Sequence, residues 1–294
     1  MTTPQVEHDG QYVNNHSPTA NYMESKVESH EDALRHVRTA GTISLTPELF
    51  EKLYLSPQNA VKGELRKTFG NPTPIAMIGF LTCLTPLACQ LMGWRGSGLS
   101  GLATVGATWF MGGLLLLLGG LLEWILGNTF PAVVFCSFGG FYLAFAATLT
   151  ESFGAYAGYA PTGGPASAGM ATTGFNAGFG FFMLWMGFMC LIYLICALRT
   201  NVCFVVIFLS LLCAFGCLAG AYWSLGEDYT GKAGYAGKLV IAAGAFLFVA
   251  CVSGWWIFFA IMLEALDFPF QVPVGDLSTL IVGRKARQQQ KGEV

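Results

Sequence analysis

The sequence predicts an all-α integral membrane protein with six transmembrane helices, and three observations carry that reading. The chain is 54% hydrophobic and only 11% charged, whereas a soluble globular protein has about a quarter of its residues charged. The deficit is concentrated: between Asn71 and Leu263 the formal charges are Arg95, Glu123, Glu151, Arg199, Glu227, Asp228, Lys232 and Lys238, most of them at the edges of apolar runs. Six such runs follow one another, each of about twenty residues or more, the length a helix needs to cross the hydrocarbon core.

Residues 1–68 form a polar tail. Its first forty residues carry scattered charge without periodicity and read as disordered. Within it, Thr46 caps and Pro47 opens a short amphipathic helix near 47–56, with Leu49, Phe50, Leu53 and Tyr54 on one side. That helix either lies on the membrane face or packs against the bundle. The membrane domain spans 69–266, with spans Pro72–Trp94, Ala103–Leu126, Phe130–Leu149, Ala177–Leu198, Val202–Trp223 and Leu239–Leu263. No cleavable signal peptide is expected, because the first apolar run starts some seventy residues in. Pro86 is expected to kink the first span. Ser152–Asn176, rich in Gly, Ala, Thr and Pro, is the longest connection and reads as an ordered loop or a re-entrant excursion. A C-terminal tail, 267–294, is polar and ends in a basic cluster.

Orientation follows from the basic residues. Six spans place both tails on one face. That face collects the seven Lys and Arg before Asn71, Arg199 and four more in the C-terminal tail, against Arg95, Lys232 and Lys238 opposite. Both termini are therefore expected in the cytoplasm.

Several function classes are excluded. All nine cysteines lie between Cys83 and Cys251, in or beside apolar runs, and read as free, buried thiols. The four histidines, His8, His16, His30 and His36, are all in the tail, so no metal site is expected in the membrane. No nucleophile–base set, P-loop or dinucleotide fingerprint is present. Neither an enzyme nor a cofactor is expected. A net charge of −2 gives no reason to expect a nucleic-acid partner.

The candidate functional residues are few. Asn71 and Pro72 read as a helix start, and with Pro74 loosening the first turn, Asn71, Pro72, Thr73 and Pro74 would leave backbone N–H groups for an anion. Glu123 is either an interfacial anchor or a buried group able to pass a proton. Glu264 has the same ambiguity, weighted to the interface. A small monoanion could use hydroxyls such as Thr82, Thr85, Ser137 and Ser210, while Phe80, Phe138 and Leu211 are plausible narrow-point residues. Thirty-seven glycines either let helices approach closely or line a narrow channel.

Together these motifs resemble the acetate uptake transporter family, which includes bacterial succinate–acetate permeases and fungal acetate or ammonia-export proteins. The family's opening Asn-Pro-Ala-Pro-Leu-Gly-Leu stands here as Asn71-Pro72-Thr73-Pro74-Ile75-Ala76-Met77. Gly120-Leu-Leu-Glu123 followed by Gly127-Asn128-Thr129-Phe130 resembles the segment between its second and third spans. Ser137-Phe138-Gly139-Gly140-Phe141 resembles its Ser-Tyr-Gly-x-Phe, with Phe138 in place of the Tyr. The likeness covers roughly 69–275, and the tail around Leu53–Gln58 is similar to filamentous-fungal members. The resemblance implies six helices forming a narrow pore per protomer, a homo-oligomer (hexamer), and Phe80, Phe138 and Leu211 at a hydrophobic gate. It also implies that Glu123 is the second-span glutamate.

The expected function is a plasma-membrane transporter for acetate and other short monocarboxylates, proton-coupled or channel-like. Asn71 to Pro74, Ser137 and Ser210 would bind substrate, and Glu123 would couple protons. The alternatives are ammonia or ammonium export, and an acetate-responsive membrane sensor without transport.

Overall fold

The computed structural model describes residues 69–277. The amphipathic helix expected near 47–56, and the basic cluster of the C-terminal tail, lie outside the described residues. Within them the chain forms six helices long and apolar enough to cross a membrane: α1 Thr73–Leu91, α2 Gly101–Ile125, α3 Thr129–Leu149, α4 Thr173–Ala197, α5 Val202–Glu227 and α6 Ala233–Ala265. The six spans are the expected six, with boundaries moved for local reasons.

The first span ends at Leu91, short of Trp94, because Gly93 takes a left-handed φ of 71° and terminates the helix. It runs through Pro86 without interruption. The fourth begins four residues earlier than expected, where the Thr172 hydroxyl accepts from Phe175 N–H. The fifth and sixth run on to Glu227 and back to Ala233. Apolarity marks only the part of a helix in hydrocarbon, whereas its internal hydrogen bonds continue past the boundary. With 33 residues, α6 is about 50 Å long, well beyond the ~30 Å hydrocarbon core.

The helix that departs most from regularity is α2. It opens in a 3-10 turn and passes through a π-helical stretch at Thr108–Leu115 before returning to α geometry at Leu116. Gly112 and Gly113 sit within the π stretch, where missing side chains lower the cost of an unusual turn.

Packing divides the bundle into tight and loose seams. Helix α1 packs on α2 and α6, α2 on α3, and α5 on α4 and α6. The α1–α2–α3 seam is tight because glycines face neighbouring backbone: a Cβ on Gly79 would stand 2.5 Å from Met111 O, and one on Gly119 2.6 Å from the Ala76 Cβ. Close packing therefore accounts for these glycines. The α3–α4 seam is filled by large aromatic rings, including Phe141 with Phe182 at 5.7 Å and Phe138 with Tyr193 at 6.4 Å. Rings hold helices farther apart than glycines do, and the cavities of the molecule open beside this seam.

The 152–176 connection is an ordered loop with 3-10 turns at Glu151–Phe153, Ala157–Tyr159 and Ala166–Ala171. Buried Tyr156 anchors it, and buried Asn176 donates to the carbonyls of Met170 and Thr172 at 2.8 Å. Between α5 and α6, Asp228 accepts from Gly231 N–H at 2.9 Å, which holds its carboxyl below the usual range. A depressed carboxyl stabilises the turn at neutral pH, and that support is lost as pH falls through the lowered value. The start of the C-terminal tail is pinned rather than loose. Val202 N–H donates to Gly275 O at 2.8 Å, Leu277 N–H to Thr200 O at 2.9 Å, and Trp256 Nε1 to Pro273 O at 2.8 Å. The cysteines are unpaired thiols, but only Cys83, Cys190 and Cys251 are buried. The expected burial fails for the others because an apolar run also supplies the helix faces turned away from the bundle interior.

Candidate functional site

The start of α1 and the end of α2 meet in a buried polar cluster. Helix α2 ends in a Schellman turn: Gly127, at φ 78°, donates to Trp124 O, and Asn128 donates its backbone N–H to Glu123 O, both at 2.9 Å. That geometry folds Asn128 back over Glu123, and its side-chain Nδ2 donates to Glu123 Oε2 at 2.6 Å. The Thr73 hydroxyl donates to Glu123 Oε1 from α1. Glu123 and Thr73 are 0% exposed and Asn128 2%. Glu123 is thus a wholly buried carboxylate with a donor on each oxygen, and the alternative of an exposed interfacial anchor falls. Asn128 is not among the candidate residues that the sequence offers. The signal that could have found it is the Gly-Asn pair closing a helix that carries a buried acid one turn earlier.

The helix start itself differs from expectation. Pro72 is the N-cap and Asn71 precedes it, its Oδ1 accepting from Thr73 N–H at 3.0 Å. Ile75 N–H donates to Pro72 O at 3.0 Å, and Pro74 has no N–H. The first-turn donors are already engaged in this conformation, so the expected open row of N–H groups is reduced.

Two cavities lie in series along the bundle. One, of about 20 Å³, lies toward the ends of the helices that carry the chain's tails, between residues such as Met77, Val134, Phe204 and Phe208. The other, of about 50 Å³, lies toward the opposite ends, between residues such as Leu87, Phe145, Leu218 and Tyr222. Phe138 and Leu211 line both and so form the partition between them. Phe80 joins them on the smaller cavity, with its ring edge-on to Phe138 at 6.3 Å. All three are buried. The structure therefore brings Phe80, Phe138 and Leu211 together from α1, α3 and α5.

Ser137 and Ser210 line neither cavity. The Ser137 hydroxyl lies 2.9 Å from both Val134 O and Tyr193 Oη, so it orients Tyr193 behind Phe138. Among the described residues no group of His, Cys, Asp and Glu could hold a metal.

A membrane-spanning bundle with two small apolar cavities in series, bordered in common by Phe138 and Leu211, suits the passage of small solutes. The chain belongs to the GPR1/FUN34/yaaH family, whose sequence profile matches residues 54–279. It is 44% identical over 256 residues to protein alcS of Aspergillus fumigatus, covering 86% of this chain and 93% of that one. It is 33% identical over 223 residues to the acetate transporter protein patA of Penicillium expansum, covering 76% and 82%. Among solved structures it is similar to the bacterial acetate channel SatP, with a TM-score of 0.55 and 25% identity over 70% of this chain and 99% of that one.

Proposed function

We propose that this protein moves acetate and similarly short monocarboxylates across the plasma membrane, acting as a transporter and not as an enzyme. The observation that carries the reading is the pair of small cavities divided by Phe80, Phe138 and Leu211. A water-sized site needs ~10–15 Å³ of such volume, so a cavity of about 50 Å³ suits a solute of a few non-hydrogen atoms. The acetate transporter and acetate channel among its relatives support the same substrate class.

In this reading Phe80, Phe138 and Leu211 form the gate. Asn71, Pro72 and Pro74 shape the mouth on the tail side, where the Asn71 side-chain amide meets the carboxylate. Thr73 holds Glu123, and Glu123 couples protonation to passage through the α1–α2 contact. Ser137 positions Tyr193, and Ser210 stays a neighbour of the gate. Both termini face the cytoplasm, in line with the basic-residue asymmetry, and the protein works as a homo-oligomer.

The test is uptake of labelled acetate into proteoliposomes at several pH values, with and without a proton gradient. Protein-dependent uptake is expected. Acetate binding without uptake would make the protein a sensor, and uptake of methylammonium in place of acetate would favour ammonium transport.

A further inference from the structure

We propose that residues 268–277 form an autoinhibitory strap. While docked, it holds the start of α5 in the position that closes the partition at Leu211, and its release raises flux. The inference rests on the reading of the two cavities as a solute path, and it names how that path is regulated.

The strap begins where α6 stops. Asp267 takes a left-handed φ of 48°, and Phe268 N–H donates to Leu263 O at 2.9 Å, which turns the chain back on α6. Gln271 Nε2 donates to Glu264 Oε2 at 2.7 Å and Trp256 Nε1 to Pro273 O at 2.8 Å, so the segment runs back beside α6. It then crosses to the start of α5. Asn201 and Asp276 pair as an antiparallel bridge, Val202 N–H donates to Gly275 O at 2.8 Å, and Leu277 N–H donates to Thr200 O at 2.9 Å. Cys203 Sγ donates to Val274 O at 3.6 Å. Val202 is the first residue of α5, and its N–H is one of the helix-end donors with no partner inside the helix. The strap thus caps α5. At Gly275, with φ 70°, an added Cβ would stand 2.8 Å from Val202 Cγ2, so only glycine lets the strap lie this close.

What the strap holds is a wall of the path. Phe204, Ile207, Phe208 and Leu211, all from the first half of α5, line the smaller cavity. Helix α5 packs on α4 and α6. Toward α3 it meets rings and empty space: Phe208 with Phe130 at 6.3 Å, Phe215 with Phe141 at 5.3 Å, and the two cavities. A helix flanked by cavities has room to shift that a close-packed one lacks. The hold is also weak enough to act as a switch. Within 268–277, Val274 is the one buried side chain, and the rest of the hold is hydrogen bonds. Such segments open locally at far less than the cost of global unfolding. Docked strap and closed partition occur together, with Phe80, Phe138 and Leu211 all buried. The strap continues into a tail carrying Arg284, Lys285, Arg287 and Lys291, so a pull on that tail reaches α5 through Leu277 and Thr200.

The experiment uses the full-length protein in proteoliposomes with two readouts. One is uptake of labelled acetate. The other is labelling of Cys203 by a charged maleimide, quantified by mass spectrometry of its peptide. Gly275→Val unseats the strap at its closest contact. Trp256→Phe removes one hydrogen bond at a half-exposed position, and it covers the case in which Gly275→Val is poorly delivered. Both variants are expected to raise Cys203 labelling and acetate uptake about fivefold, the population change that loss of one hydrogen bond brings. A purely structural segment gives the reverse, lower uptake as the bundle loosens. Raised labelling with unchanged or reduced uptake overturns the inference and leaves acetate transport standing. Unchanged labelling in both variants overturns the assignment of these contacts as the hold. Raised labelling with no acetate uptake in any protein, wild type included, overturns the substrate reading instead, and methylammonium uptake then serves as the flux readout.

Discussion

At Glu123 two donors converge on one buried carboxylate, and that geometry makes its substitution informative. Glu123→Gln keeps the shape: the new amide oxygen can accept from Asn128 Nδ2, and the new NH₂ can donate to the Thr73 hydroxyl, which reverses its role. Expression and membrane delivery are therefore expected to persist. Acetate uptake should change its pH profile. An unchanged acetate profile would return Glu123 to a purely structural role tying α1 to α2. Removing the Thr73 hydroxyl with Thr73→Val leaves one Glu123 oxygen without that donor, at a cost of about 1–3 kcal/mol. The expected readout is a lower melting temperature in detergent. Leu211 is 2% exposed and borders both cavities. One methylene is worth about 1–3 kcal/mol in a close-fitting apolar site, so Leu211→Ala should admit lactate while acetate uptake persists. An unaltered acetate-to-lactate preference in a correctly targeted protein would place the size filter elsewhere.

Helix α2 shows how one element sets the position of others. Its glycines bring it against α1 and α3, its π stretch sits between them, and its Schellman turn delivers Glu123 and Asn128 to the start of α1. Gly119→Val would put its Cβ 2.6 Å from the Ala76 Cβ and 2.8 Å from Ala76 N. Backbone cannot yield as a side chain can, so α1 and α2 must separate. Loss of folded protein by size-exclusion chromatography is expected, together with loss of acetate uptake. A Gly119→Val protein with wild-type yield and uptake would show that this seam tolerates separation. Gly140, by contrast, has open space around its Cβ position, and Gly140→Ala is expected to be silent in the same assays.

On the scale of the whole molecule, six spans force both tails to one face, and the pinned start of the C-terminal segment against the α4–α5 connection agrees with that parity. Impermeant protease added to intact cells is expected to reach the 152–176 loop and to spare both tails. Cleavage of the N-terminal tail from outside would invert the assignment. The loop's anchoring by Tyr156 and Asn176 makes cleavage slow, so a protease site inserted after Gly163, in an exposed turn, sharpens the comparison.

The sequence by itself determined the number and order of the spans, because apolar length is a local property that a bilayer reads segment by segment. It also named Phe80, Phe138, Leu211 and Glu123 as candidates, through short motifs and a family resemblance that need no knowledge of packing. Helix ends were less legible: α5 and α6 continue beyond the apolar stretch, since intrahelical hydrogen bonds do not stop where hydrocarbon does. Only the tertiary structure decided which glycines are contacts and which partners the hydroxyls meet. Ser137 reads as a ligand in the chain, but across the bundle it meets Tyr193, 56 residues away. Thr73 likewise meets Glu123, 50 residues on. Such pairings depend on how whole helices rotate and approach, and that is fixed by the summed packing of many side chains rather than by any local pattern.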